Sequence, residues 1–361
     1  MAALQIAGAQ DSSGDKSWTT TSQQGEPDGS VNPTRTRVTH SEVDGRIVDK
    51  TSVETLGPDG RYIPYSETER ESVRVNDTTI RTVERTFGSN PDGQKMLVQE
   101  KQEETRKLAD GAEKIVRTTS SPDADGGMQV VRREQVDSKQ VSPGERDTKT
   151  TVFSADGTGG LAATVQIEER EKQSDATTVE FKKSTMLSDG SGHWTLSEVR
   201  EGTTKKDGPQ GSRKEESVLR PDVNGKLSVV ERTVTKQADA GSGEQRDTVE
   251  TYSTNVPGEA GDDRLQLVQR ESTVRRTNAS GGQSTTKQVE RVNPGSPSDS
   301  LRVTQEAIDI VRPGTNGVAA ESSTILNADP DGRLGVVSID IGKSDKPAAV
   351  TVDTGSATKP K

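Results

Sequence analysis

The sequence predicts an all-β protein, in which tandem β-hairpin repeats of about 33 residues form a long antiparallel meander or ribbon. Three observations carry this prediction: turn pairs containing glycine recur at a nearly constant interval, the segments between them are dense in Val and Thr, and the chain is too polar for a large core. Only 26% of the 361 residues are hydrophobic and 2% aromatic, against roughly 45–50% apolar, glycine included, in ordinary globular domains. The 48 basic and 58 acidic residues nearly balance, which suits ion pairing between neighbouring strands.

The repeat is marked by tight-turn pairs that lie 31 to 35 residues apart in the unbroken run. Asp-Gly and Asn-Gly supply the positive backbone angles that tight hairpins require. In the gap before the last pair, "VPGEAGDD" and "NPGSPSDS" stand at the expected places. A second, looser break near the middle of each unit divides it into two segments, so we expect about ten hairpins. The turn pairs are Asp28-Gly29, Asp59-Gly60, Asp92-Gly93, Asp125-Gly126, Asp156-Gly157, Asp189-Gly190, Asn224-Gly225 and Asp331-Gly332.

The segments between the breaks are predicted to be strands. Those reading "KLSVVERTVTKQ" from Lys226 and "SVRVNDTTIRTVERTF" from Ser72 are rich in β-branched residues, which favour extended backbone. The segment Gln99–Lys107 is instead rich in good helix formers. Because a tandem repeat should adopt one structure throughout, we expect a strand there as well.

Two apolar columns are expected to run along the stack of repeats. Large side chains precede the tight turns, and we expect them to share one face: Leu56, Phe87, Phe153, Leu187, Leu219, Tyr252 and Leu326. Consecutive apolar pairs follow the turns, and alternation would place their two members on opposite faces: Leu97–Val98, Val130–Val131, Thr164–Val165, Val229–Val230, Leu267–Val268 and Val336–Val337.

An open sheet of about twenty strands normally curls or pairs. A β-solenoid and two packed sheets therefore remain alternatives to the ribbon. Three regions are expected: an N-terminal tail, signal remnant or edge strand over residues 1–27, the repeats over 28–332, and apolar strands with a polar tail over 333–361. Ala7-Gly8-Ala9 fits a signal-peptidase site before Gln10, although the basic leader is missing.

No residue pattern indicates catalysis or cofactor binding, so we expect a protein that is not an enzyme. The chain has no cysteine, and its only histidines, His40 and His193, stand in ordinary polar sequence. Paired carboxylates beside glycine make "PDADGG" and "ADPDGR" weak candidates for calcium, with too few ligands for a complete loop. These candidates are Asp123, Asp125, Asp329 and Asp331.

The expected partners follow from surface chemistry. Basic clusters near Thr34 and Thr273 lie in an acidic chain with few aromatic residues, so we expect no nucleic-acid binding. No stretch approaches the roughly 20 apolar residues of a membrane-spanning helix, so we expect no membrane span. Two glycosylation sequons, at Asn76 and Asn278, fall in mid-unit loops, where an attached glycan would not disturb the sheet.

The C-terminal strands suggest self-assembly. "RLGVVSIDIG" and "AAVTVD" alternate apolar residues without the dense charge of internal strands, the reverse of edge protection. We therefore expect a head-to-tail homopolymer joined through terminal strands. The candidate contact residues are Leu334, Val336, Val337, Ile339, Ile341, Val350 and Val352.

From Asp28 onward, in its hairpin periodicity and polar composition, the chain resembles uncharacterised secreted bacterial repeat proteins, including those that build surface fibres. The resemblance implies a secreted structural protein and transfers no functional residue. With the features above, it leads us to expect an extracellular or cell-surface fibre or matrix subunit. The alternative is an adhesin that presents its repeat loops to glycans or to a protein partner.

Overall fold

A computed structural model describes residues 16–25, 31–90, 93–208, 211–241, 243–258, 264–313 and 319–344. These residues form twenty β-strands. The strands are β1 Lys16–Gly25, β2 Val31–Val43, β3 Arg46–Leu56, β4 Tyr62–Asn76, β5 Thr79–Ser89, β6 Lys95–Lys107, β7 Glu113–Pro122, β8 Met128–Ser142, β9 Glu145–Ala155, β10 Leu161–Gln173, β11 Thr178–Ser188, β12 Trp194–Lys206, β13 Gly211–Pro221, β14 Leu227–Gly241, β15 Glu244–Ser253, β16 Gln266–Thr277, β17 Gln283–Arg291, β18 Arg302–Arg312, β19 Ala319–Ala328 and β20 Leu334–Ser344.

The prediction of an all-β antiparallel meander is confirmed. Every strand pairs antiparallel with the next one along the chain, from β1–β2 to β19–β20, in a single sheet. Gln99–Lys107, the segment rich in helix formers, lies within β6 and pairs with both neighbours. Within the described ranges, no helix is long and apolar enough to cross a membrane.

The sheet closes on itself, because β1 also pairs antiparallel with β20. The register runs from Thr20 opposite Ser344 to Gly25 opposite Ile339. The expected open ribbon is therefore wrong, and so are the solenoid and the two packed sheets. Closure is the usual remedy for a sheet this wide, since it leaves no unpaired edge.

The turns lie at two ends of the barrel. Rim 1 holds the turns that lead from odd-numbered to even-numbered strands, and rim 2 holds the others. Rim 1 turns such as 57–61 and 123–127 close with a glycine at positive φ, which an L side chain rarely adopts. At rim 2, Asp44 and Gly45 both have positive φ and form a two-residue hairpin turn.

A ring of β-bulges lies just inside rim 1. On each even-numbered strand from β4 to β20, one residue near the start of the strand has no partner across the preceding hairpin. The consecutive apolar pairs in the sequence thus mark bulges rather than plain alternation. The unpaired residues are Tyr65, Val98, Val131, Thr164, Ser197, Val230, Val268, Thr304 and Val337.

The hand of the sheet determines which face is outer. Strands of L-residues coil about a barrel axis with one fixed hand. Register rows drift toward rim 1 as strand number rises: the row through Thr39, in the rim-2 half of β2, reaches β8 at Val130, beside rim 1. Val43 and Arg46 flank the two-residue turn, so their backbone groups point at each other. Together these observations place Val43 and Arg46 on the outer face.

Exposure of the last strand supports this assignment. On β20 the outer-face residues Val336, Ile339 and Ile341 are 54%, 42% and 60% exposed. On the inner face of the same strand Asp340 is half-buried and Gly342 is buried. A concave surface crowds its side chains together, and a convex one spreads them apart.

The barrel encloses space rather than a core. Twenty strands, spaced about 4.8 Å apart and tilted about 40°, give a backbone radius of about 20 Å. Side chains cannot fill an interior of that width. No described side chain larger than a small residue is fully buried, and the buried hydrophobic residues are scattered valines.

Candidate functional site: the inner face of the barrel

The inner face carries charged side chains that pair across neighbouring strands. Lys101 Nζ lies 3.0 Å from Glu84 Oε1, and Lys287 Nζ lies 2.6 Å from Glu271 Oε2. Arg200 contacts Glu198 on its own strand at 2.6 Å and Glu216 on the next at 3.1 Å. The wall of the enclosed space is therefore hydrophilic.

One part of this face forms a recess of about 280 Å³ across strands β4 to β8. It holds four basic and three acidic side chains, with threonine hydroxyls between them. Its inner-face residues are Arg70, Thr82, Glu84, Lys101, Glu103, Arg117, Thr119, Arg132 and Glu134.

The basic side chains of the recess are neutralised unequally. Arg117 lies between two carboxylates, with Nε 2.6 Å from Glu103 and a terminal nitrogen 2.7 Å from Glu134. Within the described ranges, Arg132 has one ion-pair partner, Glu134, at 3.4 Å, and it shares that carboxylate with Arg117. Arg70 has no ion-pair partner among the residues that the structure describes.

A second inner-face cluster depends on a glycine. The Lys214 ammonium lies 4.9 Å from the centre of the Phe181 ring, with Gly202 on the strand between them. A Cβ built on Gly202 would come within 2.0 Å of the Glu215 carbonyl oxygen. Glycine thus leaves the space that the backbone of Glu215 and Glu216 on the next strand occupies.

The outer face carries an apolar girdle next to rim 1. We define the girdle by the outer-face residue just before each bulge, which is apolar on all nine strands. These residues are Pro64, Leu97, Val130, Ala163, Leu196, Val229, Leu267, Val303 and Val336. Aromatic and aliphatic partners on the preceding strands widen it, as with Phe87 opposite Leu97 and Tyr252 opposite Leu267.

Five residues of the expected column lie opposite girdle residues, Leu56 also lies on the outer face, and Leu187 is the one error. Leu187 does not share the face of the others, because it pairs with Thr195 on the inner face. Met186 occupies the girdle position there, opposite Leu196. A one-residue offset changes the face of a strand residue, and the turn spacing alone does not resolve it.

Between the girdle and rim 2, the outer face is charged. Arg85 Nε lies 2.8 Å from Glu100, and Lys50 Nζ lies 2.9 Å from Glu67. Arg270 bridges Glu250, at 3.2 Å, and Glu290, at 3.5 Å. This part of the wall is therefore polar on both faces.

The calcium candidates lie in separate rim 1 turns. Asp123 Oδ1 accepts hydrogen bonds from the backbone N–H of Asp125, at 3.0 Å, and of Gly127, at 2.7 Å. Asp329 Oδ1 accepts one from the Arg333 N–H at 2.8 Å. These contacts explain the aspartates as turn formers, and calcium binding at Asp123, Asp125, Asp329 or Asp331 stays a prediction.

The two sequons lie in rim 2 turns of similar geometry. Asn76 Oδ1 accepts from the Thr78 N–H at 2.9 Å and from its hydroxyl at 3.0 Å. Asn278 Oδ1 accepts from the Ser280 N–H at 3.1 Å and from its hydroxyl at 2.8 Å. Attachment of glycans at these residues stays a prediction.

The expected polymerisation strand is not a free edge. β20, with Leu334, Val336, Ile339 and Ile341 on its outer face and Val337 at its bulge, pairs with both β19 and β1. Val350 and Val352 lie outside the described residues. Backbone groups already bonded within the barrel cannot template an added strand.

Sequence reasoning did not find the inner-face recess. Its members come from five strands, and each looks like one more charged residue in a polar repeat. One signal for the recess exists in the sequence: Arg70, Glu84 and Lys101 alternate in charge across three neighbouring strands. These residues can be recognised as neighbours only when the register of the strands is known.

No family model matches the chain, and no curated protein does. Solved structures share its fold. The siderophore receptor PirA from Acinetobacter baumannii is 6% identical, with a TM-score of 0.54 over 93% of this chain and 74% of its own. The ferric enterobactin receptor PfeA, in complex with BCV-L6, is 7% identical, with a TM-score of 0.50 over 93% and 82%. The outer membrane channel DcaP of Acinetobacter baumannii has a lower TM-score, 0.40, at 10% identity over 94% and 99%.

At these identities the similarity is one of fold. The barrel fold shared with the two receptors nevertheless overturns the resemblance to secreted fibre proteins. The expected fibre subunit, adhesin and head-to-tail homopolymer are wrong, because the terminal strands close the barrel. The expectation of no membrane span is also wrong. It rested on the absence of a long apolar helix, and the similar solved structures are barrels, whose strands carry a much weaker apolar signal. A location as a free extracellular fibre is overturned together with the fibre itself.

Proposed function

We propose that the protein is a non-enzymatic conduit, whose barrel encloses a water-filled passage for hydrophilic solutes. The observation that carries the proposal is the closed ring of twenty strands with a charged inner face. Barrels of 16–18 strands already leave an aqueous channel. Ionised side chains such as Lys101 and Glu103 keep an enclosed space of this width wet.

The fold neighbours support a transport role, since their names describe receptors and a channel. The outer membrane is the location that goes with this proposal. Lipid would contact the wall at the girdle. This apolar band is about 10 Å tall, whereas the outer apolar band of membrane-spanning barrels is about 25 Å tall. An arginine or lysine facing lipid at mid-bilayer costs about 2–4 kcal/mol. The charged wall toward rim 2 therefore stands in water in this proposal.

Adjacent lysines on β11 provide the test. Lys183 lies on the inner face and Lys182 on the outer face, and the natural chain has no cysteine. The variants Lys183→Cys and Lys182→Cys would be reconstituted separately in planar bilayers and treated with a bulky, charged thiol reagent. We expect both to conduct ions, and the reagent to reduce the conductance of Lys183→Cys alone.

Two results would contradict the proposal. One is no conductance from protein whose incorporation into the bilayer has been verified. The other is an equal loss of conductance in both variants, which would mean that current does not follow the inner face.

A further inference from the structure

The recess across β4 to β8 holds one more basic than acidic side chain, and the excess is localised. Arg117 is held by two carboxylates and Lys101 by Glu84. Arg132 has the weakest compensation of the paired cations, because its one carboxylate is 3.4 Å away and already bound to Arg117.

The residues paired with Arg132 across the two adjacent strands are uncharged. Its register partners are Thr119 on β7 and Ser154 on β9. Lys101 lies opposite Thr119 on the other side, so the threonine hydroxyl stands between two cations. The Cα atoms of Lys101 and Arg132 are two strand spacings apart, about 10 Å, which side chains of their length bridge easily.

Arg70 adds a further cation at the far side of the recess. Its register partners are Asp49 and Glu84, and both carboxylates are engaged elsewhere. Asp49 Oδ1 lies 2.6 Å from His40 Nδ1, and Glu84 binds Lys101. Among the described residues, Arg70 therefore has its guanidinium available for a ligand.

We propose that this recess binds a small oxyanion, a carboxylate or a phosphate, between Arg132 and Lys101 and over Thr119. Guanidinium groups match the planar, two-oxygen edge of such anions, and charge-assisted hydrogen bonds are the strong ones. The Thr119 hydroxyl donates a further hydrogen bond. The volume of about 280 Å³ admits a small anion and excludes a macromolecule.

This inference deepens the proposed function, since it names a solute class for the passage. Binding itself needs only the folded barrel. A protein that conducts but does not bind anions would overturn the inference alone, and one that binds anions without conducting would overturn the proposed function alone.

The test measures binding of inorganic phosphate and of succinate to the full chain by calorimetry, in low-salt buffer with chloride as the only other anion. Arg132→Gln removes the central cation. Arg133→Gln is the matched control, because Arg133 is the next residue on β8 and lies on the outer face. We expect Arg132→Gln to weaken binding about tenfold or more, as for the loss of one charge-assisted hydrogen bond.

Arg70→Gln should weaken binding less, because Arg70 lies farther from Thr119. The tighter of phosphate and succinate identifies the preferred anion class. The inference is wrong if neither anion binds the natural protein, or if Arg132→Gln and Arg133→Gln weaken binding equally. Circular dichroism of each variant confirms that the barrel remains folded.

Discussion

Aspartate side chains at the rims stabilise the turns in which they lie. Asp156, Asp175, Asp189 and Asp222 each accept hydrogen bonds on Oδ1 from backbone N–H groups two to four residues ahead. This side-chain contact adds to the backbone hydrogen bonds of the turn and stabilises it. Asp123 and Asp329, two of the calcium candidates, make the same kind of contact in their own turns.

Asp175 is the clearest case, and it predicts a titration. Hydrogen bonds from the backbone N–H and hydroxyl of Thr177 lower the pKa of Asp175 to about 2, from an ordinary 3.8. Because the folded pKa is the lower one, the stabilising effect is present above about pH 4 and is lost as the pH falls toward 2. We expect the NMR shift of the Asp175 carboxyl carbon to titrate near pH 2.

Thr177→Val provides the control, since it removes the hydroxyl and keeps the shape. The pKa of Asp175 should then rise toward its ordinary value. A midpoint near pH 4 in the natural protein would contradict the assigned hydrogen bonds.

At the level of the hairpin, the bulge is the repeating device. Tyr65, Val98, Val131, Thr164, Ser197 and Val230 follow one another at intervals of 33 residues. Each bulge bends its strand and increases the local twist. A ring of bulges at one level curves the sheet in the same sense in every hairpin, and closure follows from their sum.

Deleting Val98 tests this account. Leu97 lies on the outer face and Gln99 on the inner, so the deletion leaves normal alternation and keeps every other β6 residue on its own face. We expect the barrel to fold, with the free energy of unfolding lowered by about 1–3 kcal/mol through lost curvature. Urea unfolding followed by circular dichroism measures it.

Deleting Lys101 is the matched change, three residues further along β6. It moves one part of the strand by one residue and turns inner side chains outward. Deleting Lys101 should therefore lower the free energy of unfolding much more than deleting Val98, or prevent folding. Equal losses from the two deletions would show that Val98 is not an extra, unpaired residue.

Closure is a property of the complete barrel, and its weakest point is the seam between β1 and β20. Among the residues that the structure describes, that pairing covers Thr20–Gly25 against Ile339–Ser344. Elsewhere each hairpin packs against the hairpins before and after it in the sequence, so most of the stability comes from contacts between adjacent repeats. The seam alone joins the two ends of the chain.

The double variant Gln23→Cys, Ile341→Cys tests the seam. These residues are register partners on β1 and β20, and antiparallel partners have Cα atoms about 4.5–5.5 Å apart, within disulfide range. Mild oxidation should give one intramolecular disulfide, seen as a faster-migrating monomer on non-reducing gels. The two single-cysteine variants are the controls.

An open ribbon would give no bond between these cysteines. An end-to-end polymer would give bonds between chains and a ladder of oligomers. Either pattern in the double variant would show that β1 and β20 do not meet within one molecule.

Much of the fold could be predicted from sequence. The Asp-Gly pairs located the rim 1 turns, and the Val- and Thr-rich segments became strands, including Gln99–Lys107. The girdle was visible through the large residues before the turns, apart from Leu187, which is offset by one residue and lies on the inner face. The recess around Arg132 could not be found, because its members meet only through the register of five strands.

The strands, the turns and their interval follow from the amino-acid sequence alone, because each depends on local backbone preference: glycine at positive φ, β-branched residues in extended backbone, aspartate in its own turn. Closure of the meander, and hence the identity of the inner face, emerges only in the folded barrel. Closure depends on twist accumulated over twenty strands and on the contact between β1 and β20. No local pattern encodes either, so side chains that resembled a fibre surface became the wall of an enclosed space.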